Sequence, residues 1–226
     1  MEHKQQIDDM INVINQHATS YAGGKEISSR VVYALKQTPR HKFIENLVGM
    51  IDPIYPYEDS PLQIGYGQTM SQPFIVAYMT EMLELQPLHK VLEIGMGSGY
   101  QAAVLSELVE EIYTVERIPE LAQRTKQLFE TLEDYESIKV KVGNGVEGWK
   151  EHAPYDRIIV TAMANEMPNK LAKQSVDGGK MIVPIDGKLL LVTKKKEIAG
   201  VPVLEQKDLS YMNEYWPNRT STSTPK

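Results

Sequence analysis

The 226-residue chain contains no cysteine. That absence removes disulfide frameworks, thiolate zinc sites, iron–sulfur clusters and a cysteine nucleophile in one step. Positive charge is also scarce: 24 Lys and Arg stand against 30 Asp and Glu, a formal charge of −6. Nucleic-acid binding needs a basic face to meet phosphates, so this balance argues against such a partner. No apolar run approaches the roughly 18 residues of a membrane span, and the opening Met1-Glu2-His3-Lys4-Gln5-Gln6 lacks the apolar core of a secretory signal. A cytoplasmic enzyme or binding protein without membrane association is the expectation. His3, His17, His41, His89 and His152 are scattered along the chain, so no metal site is expected and most are assigned to the surface.

What is present is ordinary for a globular chain: 42% hydrophobic and 24% charged residues, enough for one large domain with a substantial core. Ile7, Met10, Ile11 and Ile14 recur at helical spacing up to Gly23-Gly24, which predicts an N-terminal amphipathic helix. A second short helix is capped by Ser28 or Ser29, carries Val31, Val32 and Leu35, and stops before Pro39. From His41 to Gln72 no period is sustained, and Pro53, Pro56, Pro61, Gly65 and Gly67 mark a long shaped loop. A helix is predicted from Pro73 to Leu85. After it, strand-like runs at 90–94, 111–115, 138–142, 157–161, 180–184 and 189–193 follow, with helices near 100–109 and 119–132. This alternation predicts an α/β fold, a doubly wound and mostly parallel sheet with an N-terminal helical extension. Residues 1–72 are read as helices and an active-site loop within the same domain, 73–218 as the α/β core, and 219–226 as a disordered polar tail.

The first core strand, Lys90–Ile94, runs into Gly95-Met96-Gly97-Ser98-Gly99 and then a helix near Tyr100. Glycine permits so tight a turn and lets a ligand rest on the backbone, at the strand ends where doubly wound sheets bind ligands. A dinucleotide fingerprint would put its third glycine at position 100, which is Tyr100, so a dehydrogenase is disfavoured. The pattern with Glu93 ahead of the glycines resembles the first motif of S-adenosylmethionine-dependent methyltransferases. Glu116, 21 residues after Gly95, offers a two-pronged acceptor for ribose hydroxyls, and Gly143-Asn144-Gly145 closes the third core strand where adenine would lie.

The acceptor is narrowed by what is missing. No Asn/Asp-Pro-Pro-Tyr/Phe clamp follows Ile158-Ile159-Val160, and base C5-methylation lacks its cysteine. The run Ile64-Gly65-Tyr66-Gly67-Gln68-Thr69-Met70-Ser71-Gln72-Pro73, with Pro39-Arg40-His41-Lys42-Phe43 upstream, closely resembles the protein-L-isoaspartate O-methyltransferase family. The likeness continues through Val91–Ala103, Tyr113–Leu121, Ala153–Ala162 and Gly178–Pro184. It implies methyl transfer from S-adenosyl-L-methionine, yielding S-adenosyl-L-homocysteine, to the free carboxylate of L-isoaspartyl residues in damaged proteins or peptides.

By the same resemblance Ser71 is the active-site serine and Thr69 belongs to the cofactor and substrate cradle. Glu93, Gly95, Met96, Gly97, Ser98 and Gly99 line the methionine and ribose side, Glu116 binds ribose, and Asn144 and Gly145 lie near adenine. Ser71 is also a candidate N-cap for the helix starting near Pro73. Asn144 stands where the family usually has aspartate, Met96 where threonine is usual and Met70 where isoleucine is. Tyr100 and Trp149 are read as packing residues. The segment Lys207–Pro217 departs from the family's Arg-Phe-Val-Pro-Leu type ending, so a dedicated aspartyl or isoaspartyl client and a non-catalytic cofactor-binding adaptor stand as alternatives. Oligomeric state is left open.

Overall fold

The computed structural model describes residues 3–21, 24–44 and 55–209, without the side chain of residue 21. The tail at 219–226 lies outside the described residues, as does the divergent stretch from 210 onward.

Two helices, α1 (Lys4–Tyr21) and α2 (Ser29–Gln37), open the chain. Met10, Ile11, Ile14 and Ala18 form the buried stripe of α1, as the helical spacing predicts. Ser28 caps α2 by accepting from the Val31 amide, and Thr38 closes it with its own amide on the Ala34 carbonyl. Both helices share one hydrophobic core with α3 (Pro73–Met82) and strand residues such as Val91 and Ile112. Residues 73–80 of α3 are buried on every side, because α1 and α2 cover the face turned away from the sheet.

The region read as a long loop holds more structure than its composition promised. Arg40–Phe43 is a 3-10 turn, and β1 (Leu62–Gly65) pairs antiparallel with β2 (Gln68–Met70). Tyr66 and Gly67 both have positive φ, +53° and +67°, so they close a two-residue hairpin whose twist matches the strands. Residues 45–54 of the same region lie outside the described residues.

The main sheet has seven strands in the order β5-β4-β3-β6-β7-β8-β9. β3 (Lys90–Ile94), β4 (Glu111–Glu116), β5 (Ile138–Val142), β6 (Tyr155–Val160) and β7 (Ser175–Ile185) are parallel to their neighbours within that group. The connecting helices are α4 (Tyr100–Ser106), α5 (Pro119–Leu132) and the short α6 (Asn169–Lys173). β8 (Lys188–Ile198) and β9 (Val201–Asp208) then add as an antiparallel meander. Their turns, Asp186-Gly187 and Ala199-Gly200, repeat the paired positive φ of Tyr66-Gly67.

The predicted α/β class and its mostly parallel sheet are what the chain adopts, with four local corrections. α3 and α4 end three residues earlier than the periodicity indicated. Leu83 still packs fully buried beyond its helix, so hydrophobic spacing outlasts helical geometry there. β7 and β8 are each 11 residues long, and β9 was not read as a strand at all. The histidines are not surface residues in the open sense: all five are half-buried. His17 pairs with Asp59, and His3 stacks on His41 at a ring separation of 4.0 Å.

Candidate active site

The turn after β3 is assembled from the backbone outward. Gly95, Gly97 and Gly99 have φ of +97°, +54° and +85°. Side chains would also collide there: a Cβ on Gly95 would lie 2.6 Å from Thr161 Oγ1, and one on Gly99 would lie 2.5 Å from Thr125 Cγ2. Glycine is therefore demanded twice, by conformation and by space. The turn is tied to both neighbouring strands. The Gly95 amide donates to the Val115 carbonyl at 2.9 Å, and the Thr161 hydroxyl donates toward the Gly95 carbonyl at 2.6 Å.

Glu116, at the end of β4, is buried with both carboxylate oxygens engaged. Oε2 accepts from the Gly97 amide and Oε1 from the Ile118 amide, each at 2.9 Å. Each oxygen keeps a second lone-pair site, so a ribose diol can be accepted without breaking either bond. Gly97 is held at its carbonyl too, where Thr125 Oγ1 donates at 2.7 Å.

Glu93 is placed differently from the residues around it. It is 0% exposed, and Oε2 accepts from the Thr114 hydroxyl while Oε1 has no hydrogen-bond partner among the described residues. Burial pushes its carboxyl up to about 8, opposed by the Thr114 hydrogen bond and reinforced by the nearby charge of Glu116. At neutral pH this side chain is mainly the neutral acid. A buried neutral acid with a free oxygen beneath a ligand turn suits a hydrogen-bonding ligand group.

The remaining residues of the predicted set divide between backbone and side-chain placement. Met96 puts its side chain in the hydrophobic core, and Ser98 Oγ accepts from the Tyr100 amide at 3.4 Å. Tyr100 is itself buried, and Trp149 packs against a second core cluster with Tyr113 and Tyr155. Asn144, exposed just after β5, uses Oδ1 to cap the following turn through the Val146 amide at 3.1 Å. Gly145 packs against Ile94, where a Cβ would overlap Cγ2.

The β1–β2 hairpin forms the second wall. Ile64 is fully buried, and its Cδ1 lies 3.2 Å from where a Gly97 Cβ would be, so the hairpin rests on the glycine turn. Thr69 pairs with Gln63 in the hairpin, and Ser71 follows β2 immediately, half-buried. Ser71 is not the helix cap. Gln72 occupies the N-cap position of α3 without a side-chain capping bond, and the Phe74 amide goes instead to Asp59 Oδ1 at 2.7 Å. The Ser71 hydroxyl makes no hydrogen bond among the described residues.

Four residues that support this arrangement escaped the sequence reading: Asp59, Arg124, Thr125 and Thr161. Asp59 carried a usable signal, an acidic residue on a loop ahead of a helix start. The others act across long sequence separations and left none. Among the described residues no group of three or more His, Asp or Glu is placed to hold a metal ion, and no helix is long and apolar enough to cross a membrane.

Comparison with known proteins meets this geometry from outside. Residues 15–212 match the family model described as protein-L-isoaspartate(D-aspartate) O-methyltransferase. A protein-L-isoaspartate O-methyltransferase of Dictyoglomus thermophilum is 50% identical over 172 residues, covering 74% of this chain and 76% of the relative. One from Picosynechococcus sp. is 49% identical over 155 residues, covering 69% and 68%. A solved protein-L-isoaspartate O-methyltransferase superposes with a TM-score of 0.72 at 27% identity, covering 89% of this chain and 63% of that longer one. With the family model spanning most of its length and the glycine turn and hairpin both in place, the chain belongs to the protein-L-isoaspartate(D-aspartate) O-methyltransferase family.

Proposed function

We propose that the turn at 95–99 holds the methyl donor and that the hairpin ending in Ser71 presents the acceptor carboxylate to it. Family membership makes the chain an S-adenosylmethionine-dependent methyltransferase acting on isoaspartyl residues in damaged proteins. Bound S-adenosylmethionine supplies an electrophilic methyl group on a sulfonium and departs as S-adenosylhomocysteine. The residues present fit it: three glycines that bar side chains from the turn, a buried Glu116 with spare acceptor capacity, and an orphaned Glu93 oxygen below.

Each residue then has a limited task. Glu116 holds the ribose hydroxyls, and Asn144 offers its NH2 group to the adenine edge. The backbone of Gly95–Gly99 provides close approach, with Ser98 and Met96 contributing main chain and shape. Glu93 stays neutral beneath the turn. An isoaspartyl carboxylate is already ionised at pH 7, so no strong base is required and none is proposed. Ser71 donates its hydroxyl to one carboxylate oxygen and leaves the other free to attack, while Thr69 shapes the same wall. Catalysis is then mostly alignment in a site closed to water.

The observation that carries this reading is the contact of Ile64 with Gly97, which sets the acceptor wall directly on the donor turn. The formal charge of −6 favours a protein acceptor over a polyanionic one. The test is a pair of peptides, one isoaspartyl and one the matching aspartyl form, incubated with labelled donor. Base-labile methyl ester on the isoaspartyl peptide is expected; equal labelling of both, or of neither, rejects the acceptor assignment.

A further inference from the structure

We infer that Arg124 is a positioning residue for methyl transfer, fixing the acceptor wall in register with the donor turn. The inference rests on the proposed roles of that turn and hairpin and adds how the two are coupled.

The hairpin is small: β1 and β2 pair through Leu62–Met70, Gln63–Thr69 and Gly65–Gln68 only. A ladder of this length is marginal by itself and needs support from another element. Its register also shifts between Gln63 and Gly65, so Ile64 has no partner in the ladder. A bulge of this kind leaves a backbone group to be satisfied elsewhere. Arg124, on α5, supplies the donor: Nη2 lies 2.7 Å from the Ile64 carbonyl oxygen. Nη1 of the same guanidinium lies 3.8 Å from where a Gly65 Cβ would be. Ile64 is also the residue whose side chain touches the glycine turn.

The next residue in sequence completes the coupling. Thr125 donates to the Gly97 carbonyl, so consecutive residues of one helix grip the two walls of the site. Arg124 is half-buried and makes no ion pair with an acid among the described residues. Burial lowers the pKa of its guanidinium, with the Tyr66 hydroxyl at the hairpin tip acting the other way. A half-buried guanidinium spent on a single main-chain carbonyl is costly unless that carbonyl must stay where it is. The turn itself does not depend on Arg124, since Glu116, Thr125, Thr161 and the Val115 carbonyl hold it.

The division of labour makes the test specific. The full-length protein is compared with Arg124→Met, which keeps the stem and removes the donor, and Arg124→Lys, which keeps a cationic donor. Methylation of an isoaspartyl peptide is measured at saturating donor, and S-adenosylhomocysteine affinity by calorimetry. Arg124→Met should lower kcat/KM for the peptide about tenfold, as displacement of a reacting wall does, with S-adenosylhomocysteine affinity unchanged. Arg124→Lys should recover most of the loss, which a purely packing role would not give. Met and Lys variants that match the wild type, or a Met variant whose S-adenosylhomocysteine affinity falls in step with turnover, would overturn the inference alone. A wild-type protein that leaves the isoaspartyl peptide unlabelled would overturn the underlying acceptor assignment, and this inference with it.

Discussion

Asp59 Oδ1 accepts the Phe74 amide at 2.7 Å, joining the segment that leads into the hairpin to the first turn of the helix after it. The same carboxylate receives His17 Nδ1 at 2.9 Å and Gln72 Nε2 at 3.3 Å through Oδ2. The segment that carries Thr69 and Ser71 is thereby closed at its base. Asp59→Ala should cost about 1–2 kcal/mol, the range for a lost helix cap, and should slow transfer because Ser71 loses its anchored flank. Asp59→Asn, which keeps an acceptor for Phe74, should retain more of both. Chemical denaturation and peptide methylation, run side by side, check the pair.

The glycines separate into two kinds by their surroundings. Gly99→Ala meets Thr125 Cγ2 at 2.5 Å and Phe129 Cζ at 2.6 Å on top of a φ of +85°, and should destabilise by at least about 2 kcal/mol. Gly67→Ala meets nothing within 4 Å among the described residues and carries only the left-handed φ of +67°, so it should cost about 1 kcal/mol. Thermal midpoints of the two variants provide the comparison.

Glu116 and Ser71 should fail in opposite ways. Glu116→Ala removes an acceptor for the donor's ribose and frees the Gly97 amide, so donor affinity should fall about tenfold or more. Ser71→Ala should leave donor affinity and thermal midpoint unchanged and lower kcat, because its hydroxyl supports no helix cap. Calorimetry with S-adenosylhomocysteine and steady-state kinetics distinguish them. An equally slow Glu116→Ala enzyme with undiminished donor affinity would show that its assigned role is wrong.

Glu93 makes stability depend on pH in a defined direction. Its carboxyl is raised from 4.5 to about 8 in the folded protein, chiefly by burial, so the folded state holds a proton that the unfolded state has released. Stability from this group is full below 4.5 and is lost as pH rises through about 8. The slope approaches about 1.4 kcal/mol per pH unit between those limits. Glu93→Gln mimics the neutral acid and should not show that decline. Denaturation at pH 5, 6.5 and 8 should therefore favour the variant increasingly as pH rises; parallel curves would contradict the burial argument.

Much of the core was legible because its signals are local. The strand-like run Lys90–Ile94 followed by three spaced glycines announces a buried strand and a ligand turn, and Pro119 marks the first turn of α5 correctly. The hairpin at 62–70 was read as loop because its strands are four and three residues long, too short for alternation to register. β9 was missed for another reason. It is an edge strand whose Val201-Pro202-Val203 places proline where a ladder amide is expected, which argues against a strand unless it lies at an edge. The antiparallel pairing of β7 with β8 was not read either, although Asp186-Gly187 between two apolar runs is a hairpin signal. Ser71 as a helix cap was a sound local guess overridden by Asp59, 15 residues from Phe74, which no local pattern encodes.

The most direct test is a crystal structure of the protein with S-adenosylhomocysteine and an isoaspartyl peptide. The adenosyl ligand should lie on residues 95–99 with its ribose on Glu116, and the Ser71 hydroxyl should stand within hydrogen-bond distance of the peptide's free carboxylate. A ligand seated elsewhere, or a carboxylate that reaches the sulfur side without Ser71, would contradict this arrangement.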